Sequence, residues 1–269
     1  MNIELDGHTA YAYTGGKSFD PALPGVTFVH GALNDHSVWG LQSRYLAHHG
    51  RAVLAVDLPG HGRSGGTALD VPAAGRWLAA LIEANGVRRT ALVGHSMGSL
   101  IALEAAALLG ARASALVMVG TAYPMKVSPK LLELCQRDVL AAIDRVNTLS
   151  NSTHAAKPSS PGPGFSTHGN NRALMRRVHG AYTQGHLFHA DFAACDAYAG
   201  LEAAAPKLRC PVTLVLGARD QMASPKGVTP LVEALNPRVV TLPVGHNLMA
   251  EDPDGVLNAI QDALKQEAA

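Results

Sequence analysis

The stretch Gly94-His95-Ser96-Met97-Gly98 sets a hydroxyl between two glycines, directly after the apolar run 91–93 and before a helical pattern through Leu100, Ile101 and Leu103. A serine at such a strand-to-helix turn occupies a tight, strained conformation, and side chains two positions either way would meet neighbouring backbone. The N-terminus of the helix that follows favours developing negative charge. The chemistry this suggests is nucleophilic attack by Ser96, which needs a base to take its proton and a third group to orient that base. Thirteen histidines compete for the first role. Position selects His246, because Pro243-Val244-Gly245-His246-Asn247 follows the last strand-like run, at the edge where the reactive loops of an open parallel sheet collect. Asp220, in Leu216-Gly217-Ala218-Arg219-Asp220, follows a strand-like run in the same way and is the expected acid. Asp57 precedes the serine, while Asp138, Asp144, Asp191 and Asp196 fall in helical patterns where a solvated face is the ordinary explanation.

Attack on a carbonyl also requires donors for the oxyanion. Val29-His30-Gly31-Ala32 closes an earlier strand-like run, and its small-residue turn suits a backbone N–H, that of Ala32, beside Ser96; the N–H of Met97 would be the second donor. His30 is read as a ring that braces this turn through a backbone hydrogen bond, ahead of any role as base. Asp57-Leu58-Pro59-Gly60-His61-Gly62-Arg63-Ser64 is read as structural, with Asp57 and Ser64 capping turns between permissive glycines.

These residues need a rigid frame, and the rest of the sequence supplies one. Runs at 26–29, 52–56, 90–93, 115–119, 212–216 and 238–242 are near-continuous in Val, Leu and Ala, as strands buried on both faces require. Helical patterns at 37–48, 71–85, 97–109, 225–235 and 253–266 alternate with them. The expectation is an α/β fold, a mostly parallel twisted sheet flanked by helices. Residues 3–5 and 8–14, joined at Asp6-Gly7, read as an antiparallel hairpin at the sheet edge. Between 121 and 209 the strand-like runs stop. Ser128-Pro129 opens a helix expected to continue through Leu131, Leu134, Cys135, Val139 and Ile143, and further helices fit 171–182 and 189–198 around a Pro/Ser/Gly-rich stretch at 157–164. The expected division is a core of residues 1–121 and 209–269 with a helical cap, 122–208, inserted after a core strand.

The chain has 269 residues, 47% hydrophobic, with 22 Lys+Arg against 21 Asp+Glu and a mean hydropathy of +0.08. This excludes a disordered chain and, with no long block of one charge, makes nucleic acid and anionic membrane surfaces poor partners. No apolar stretch reaches the length of a membrane span, and the first residues lack the pattern of a secretory signal. The three cysteines, Cys135, Cys195 and Cys210, are far apart and read as free thiols of a reducing compartment, so a cytoplasmic location is expected.

Together, His30-Gly31-Ala32, the 57–64 loop, Gly94-His95-Ser96-Met97-Gly98, Asp220 and Gly245-His246, in this order, resemble the α/β-hydrolase fold superfamily in its capped subgroup of serine esterases. That resemblance implies a triad of Ser96, Asp220 and His246 cleaving a carboxylic ester or thioester of a small molecule through an acyl-enzyme, without cofactor or metal. It leaves open cofactor-free haloperoxidases or perhydrolases and C–C bond hydrolases with the same triad, and low-turnover ligand receptors of the same fold. Ser96 tells against the epoxide hydrolases and dehalogenases, which carry Asp at that position. Candidate pocket residues are His30, Leu33, Trp39, His95, Arg172 and Arg176. The cluster Arg172, Arg176 and Arg177 would suit a carboxylate or an acyl carrier, although a solvated helix face is the preferred explanation. His168 and the pair His186 and His189 are weak metal candidates, lacking a further ligand at suitable spacing.

Overall fold

The computed structural model describes residues 1–152 and 166–266. The Pro/Ser/Gly-rich stretch at 157–164 lies outside the described residues. Among those described, β1 (Asn2–Leu5), β2 (His8–Tyr13), β3 (Gly25–Val29), β4 (Ala52–Asp57), β5 (Thr90–His95), β6 (Ala113–Val119), β7 (Val212–Gly217) and β8 (Arg238–Leu242) form one sheet in the order β1-β2-β4-β3-β5-β6-β7-β8. The hairpin β1–β2 is antiparallel and joins β4 antiparallel; all later pairings are parallel.

The helices are α1 (Gly40–His48), α2 (Val71–Ala84), α3 (Met97–Leu109), α4 (Pro129–Arg137), α5 (Val139–Ser150), α6 (Thr167–Ala181), α7 (Leu187–Ala197), α8 (Leu201–Ala204), α9 (Thr229–Leu235), α10 (Leu248–Glu251) and α11 (Pro253–Lys265). Side chains alternate across the sheet with period two, and the two faces differ in size. Leu54, Leu92, Leu116, Met118, Leu214 and Leu216 face α2 and α3. Val53, Ala91, Ala115, Val117 and Val215 face α1 and α11 on the other side. With both faces covered, the central strands need no polar alternation, which is why the runs read as continuous.

The expected fold is the one found, an α/β-hydrolase fold. The chain moves from β3 outward to β4, then crosses back to place β5 on the other side of β3. A crevice opens where the winding reverses, outside the carboxyl ends of β3 and β5. Residues 30–34 and Ser96 follow those two ends.

Two local readings change. The single helix expected from Ser128 onward is two, because Asp138 leaves helical geometry at φ −149° and its carboxylate accepts the Ala141 N–H at 3.0 Å, starting α5. A short polar side chain competing for a backbone donor overrides the apolar spacing that runs through it. Strand β8 is partly exposed rather than covered, since among the described residues no strand pairs beyond it; Val239 is 45% exposed. No helix among the described residues is long and apolar enough to cross a membrane. All three cysteines are free thiols, Cys135 and Cys195 buried and Cys210 half-buried.

This contrast yields a stability test. Leu116→Ala, in a fully buried central strand, should cost about 2–5 kcal/mol by denaturant unfolding, whereas Val239→Ala at the edge should stay within about 0.5 kcal/mol.

Candidate active site

Ser96 sits at φ 52°, ψ −122°, between β5 and α3. Its N–H donates to the Val119 carbonyl at 2.9 Å, and its own carbonyl accepts the Ser99 N–H at 2.8 Å. A non-glycine residue in this region carries a cost of about 1–3 kcal/mol, met by the surrounding structure. The glycines explain how the turn is tolerated. A Cβ at Gly94 would fall on the Gly98 carbonyl, and one at Gly98 on the carbonyls of Val29 and His30.

His246 is buried and its Nδ1 lies 2.7 Å from Asp220 Oδ2. Asp220 Oδ1 accepts the N–H groups of Met222 and Ala223, both at 2.8 Å. Burial alone would raise the Asp220 pKa, but the adjacent His246 ring and the two N–H donors hold it below the ordinary carboxylate value. An ionised acceptor fixes the proton on His246 Nδ1 and leaves Nε2 as the basic nitrogen. Ser96 and His246 together line a narrow chamber of about 40 Å³ and a second pocket of about 190 Å³.

Ala32 lines this chamber, and Met97 directly follows Ser96 at the start of α3. Among the described residues neither of their N–H groups donates to another protein atom. Gly31 to Asn34 is a turn, with the Asn34 N–H on the Gly31 carbonyl at 3.3 Å and Leu33 at φ 51°.

His30 braces this turn. It is fully buried, its Nε2 accepts the Leu58 N–H at 3.0 Å and its Nδ1 donates to the Gly31 carbonyl at 2.8 Å. Burial, with the neighbouring His61, lowers its pKa to about 4, so the ring is neutral. His95 is neutral for the same reason, its pKa lowered to about 3 by burial and by His246. Its Nε2 donates to the His246 carbonyl at 2.9 Å, tying the Ser96 turn to the His246 loop, and its ring borders the narrow chamber.

Other candidates are placed elsewhere. Trp39 does not border the chamber; it is fully buried beneath the sheet with its ring 5.1 Å from Phe28, because the 3₁₀ turn His36–Trp39 carries the chain off the crevice into the face covered by α1 and α11. Leu33 is also fully buried, packed among the helices that precede β7. Arg172 is bound to Asp144 through Nε and, at 2.9 Å, Nη2. Arg176 is exposed, and neither arginine lines the chamber. Arg177 pairs with Asp35 at 2.6 Å, beside a groove of about 810 Å³ that adjoins the chamber.

One group of potential metal ligands occurs among the described residues, Asp35, His36 and Asp57, and it excludes His168, His186 and His189. Every carboxylate oxygen in it already accepts a donor. Asp57 takes His36 N, His36 Nδ1 and Arg63 N, and Asp35 takes Ser37 N, Ser37 Oγ and Arg177. Anchoring of loops accounts for the group. The Asp57–Ser64 loop is thus knitted as expected, with Ser64 Oγ donating to the Asp57 carbonyl at 2.6 Å.

Sequence reasoning missed two buried carboxylates. Glu251 accepts the Gly245 N–H at 2.6 Å, and its other oxygen takes the N–H and hydroxyl of Ser152 at 2.9 and 2.8 Å, while the Asn247 N–H donates to the Ser150 carbonyl at 2.9 Å. The His246 loop is thereby fastened to the end of α5. Asp191, on α7, lies 2.9 Å from His61 Nε2 and accepts the Leu33 N–H at 2.8 Å. No spacing rule connects these residues; the one available signal was that an acid in an apolar segment such as Phe188-His189-Ala190-Asp191-Phe192 needs a partner if buried.

Similarity to known proteins fits this geometry. The model of the alpha/beta hydrolase family matches residues 28–259. The chain belongs to that family. Among solved structures, a membrane phospholipase A described as a bacterial virulence factor is 25% identical, with TM-score 0.79 over all of this chain and 86% of that one. An enol-lactonase from Burkholderia xenovorans LB400 shares the fold at TM-score 0.80 and 21% identity, over 98% of this α/β hydrolase and all of that chain. A dihydrolipoyllysine-residue acetyltransferase component of the acetoin cleaving system of Pseudomonas putida is 32% identical over 99 residues, 36% of this hydrolase-family chain. The chain covers only 26% of that relative's length.

The His61–Asp191 contact has a pH signature. Both imidazole nitrogens face acceptors, Nδ1 the Pro59 carbonyl at 3.0 Å and Nε2 the Asp191 carboxylate. Burial opposes the charged ring, yet Asp191, with the Pro59 carbonyl and Asp57, holds the His61 pKa above its ordinary value. A raised folded-state pKa stabilises fully below the unfolded value of about 6.5, and the benefit disappears as pH rises through the folded value. The melting-temperature gap between wild type and His61→Gln should therefore be widest at mildly acidic pH and narrow in alkaline buffer.

Proposed function

We propose that this protein is a serine hydrolase that cleaves a carboxylic ester of a small molecule through an acyl-enzyme on Ser96. The observation that carries this reading is the placement of Ser96, at a positive-φ turn, on the same chamber as His246, whose Nδ1 is held by the buried Asp220. His246 Nε2 accepts the Ser96 proton as Oγ bonds to the substrate carbonyl carbon. The imidazolium so formed is stabilised by Asp220 and returns the proton to the departing alcohol. Water then enters by the same route: His246 takes one of its protons as its oxygen bonds to the acyl carbon, the bond from that carbon to Oγ breaks, and His246 returns the proton to Ser96 Oγ, releasing the carboxylic acid. The unengaged N–H groups of Ala32 and Met97 are the donors for the oxyanion in both halves.

The helices of residues 122–208 act as the cap on this core, built from residues 1–121 and 209–269. Met125, Val127, Leu131, Leu149, Phe192 and Cys195 line the larger pocket beside Ser96, giving apolar room to one part of the ester. Two of the three arginines that would suit an acyl carrier, Arg172 and Arg177, are engaged by Asp144 and Asp35, which favours a free small molecule over a carrier-bound thioester. The names of the neighbours in fold, a phospholipase and a lactonase, concern the same bond class.

A fluorophosphonate probe tests this directly. One adduct is expected, on Ser96, and none on Ser96→Ala; a folded wild type that stays unlabelled would overturn the reading. Asp220→Asn should lower kcat for a p-nitrophenyl ester by about 10⁴-fold while leaving the melting temperature near wild type.

A further inference from the structure

The expected oxyanion turn contains Leu33 at φ 51°, a conformation that a leucine does not adopt without support. The support comes from another part of the chain. Asp191 on α7 reaches the Leu33 N–H at 2.8 Å, and both residues are at most 2% exposed. A buried carboxylate must itself be compensated, and His61, from the loop after β4, does so with Nε2 at 2.9 Å on the same oxygen. His61 is in turn aligned by the Pro59 carbonyl, and its ring lies 4.9 Å from His30, which holds the Gly31 carbonyl. Two segments distant in sequence, α7 and the loop after β4, thus converge on the turn that carries the Ala32 N–H.

Resting on the serine-hydrolase reading above, we propose that Asp191 is a positioning residue for the oxyanion turn, its carboxylate, held by His61, locking Leu33 so that the Ala32 N–H is presented to the reacting carbonyl. Asp191 touches neither substrate nor Ser96. It acts through the Leu33 amide. Because it stands on the helical insert, the turn is complete only while α7 is seated on the core, which ties closure over the substrate to the competence of the oxyanion site.

The test compares Asp191→Ala, which removes the acceptor, with Asp191→Asn, which keeps a weaker neutral one. Charge-assisted hydrogen bonds are roughly twice as strong as neutral ones, so the losses should be graded. For a p-nitrophenyl ester, kcat should fall about tenfold or more in Asp191→Ala and a few-fold in Asp191→Asn, with KM within about twofold of wild type in both. Binding of a trifluoromethyl ketone, which forms an oxyanion on the serine, should weaken in the same order. A merely structural role would lower the melting temperature without this split. If Asp191→Ala does not fold, Asp191→Asn alone decides: an unchanged kcat and ketone affinity overturn the proposal. A wild type that is phosphonylated on Ser96 while both variants keep wild-type kcat overturns the role of Asp191 only. A folded wild type that is not phosphonylated overturns the hydrolase reading and this inference together.

Discussion

Ser96 is held in a backbone conformation that its own side chain disfavours, and much of the molecule can be understood as what keeps it there. The turn survives because β5 lies in the middle of the sheet, flanked by β3 and β6, and because its amide is taken by the end of β6. Helix α3 leaves the turn at once, buried along much of its length against α2 and the strands. Gly94 and Gly98 are required by the same geometry, since the approach of neighbouring carbonyls leaves no room for a Cβ at either. A strained residue of this kind persists only where the surroundings over-determine it. A two-sided parallel sheet at its topological switch point provides such surroundings.

The loops around this turn are not covered by apolar packing alone. Among the buried carboxylates, Asp57, Asp191, Asp220 and Glu251 each collect at least one donor from a segment remote in sequence. Asp57 gathers the 36 and 63 positions, Asp220 gathers 222, 223 and 246, Glu251 gathers 152 and 245, and Asp191 gathers 33 and 61. A buried charge is tolerated only when its lone pairs are filled, so each of these groups works as a fixed joint between loops. Loop residues are ordinarily the mobile part of an α/β fold, and this arrangement accounts for how side chains on four different loops can keep a common geometry.

The distribution of these joints explains what was legible in the sequence. The strands and core helices announced themselves, because burial on both faces imposes a local pattern that needs no knowledge of partners. The turn at Ser96 did so too, since its steric demand falls on residues two positions away. The contact between His246 and Asp220 was foreshadowed by their place after strands, a rule of topology. Asp191 and Glu251 were not found. Their partners lie across the fold, at His61 and Leu33 and at Ser152 and Gly245, and an acid on a helix looks the same in sequence whether it faces water or a buried amide. Trp39 failed for a related reason, as closeness in sequence to Gly31 says nothing of which side of the sheet a 3₁₀ turn will enter. The break at Asp138 was hidden by apolar spacing that continues through it, while its side chain acts within the backbone.

The helices between β6 and β7 touch both the turn at residues 30–34 and the His246 loop, and they do so through polar groups rather than by shape alone. Helix α7 reaches the turn at Leu33, and the end of α5 reaches the His246 loop through Ser150 and Ser152. An insert that served only as a wall would need apolar contact with its substrate and nothing more. Hydrogen bonds to backbone amides of the two loops make its seating and their shape one coupled equilibrium, because each buried donor loses its acceptor if the insert lifts. The apolar cluster of Leu33 with Ile143, Val146, Met175, Phe188 and Phe192 opposes that lifting without direction, whereas the carboxylates fix the position to which the insert returns. Packing therefore supplies the affinity of insert for core, and the buried acids supply the register in which Ser96, His246 and the turn at Ala32 meet.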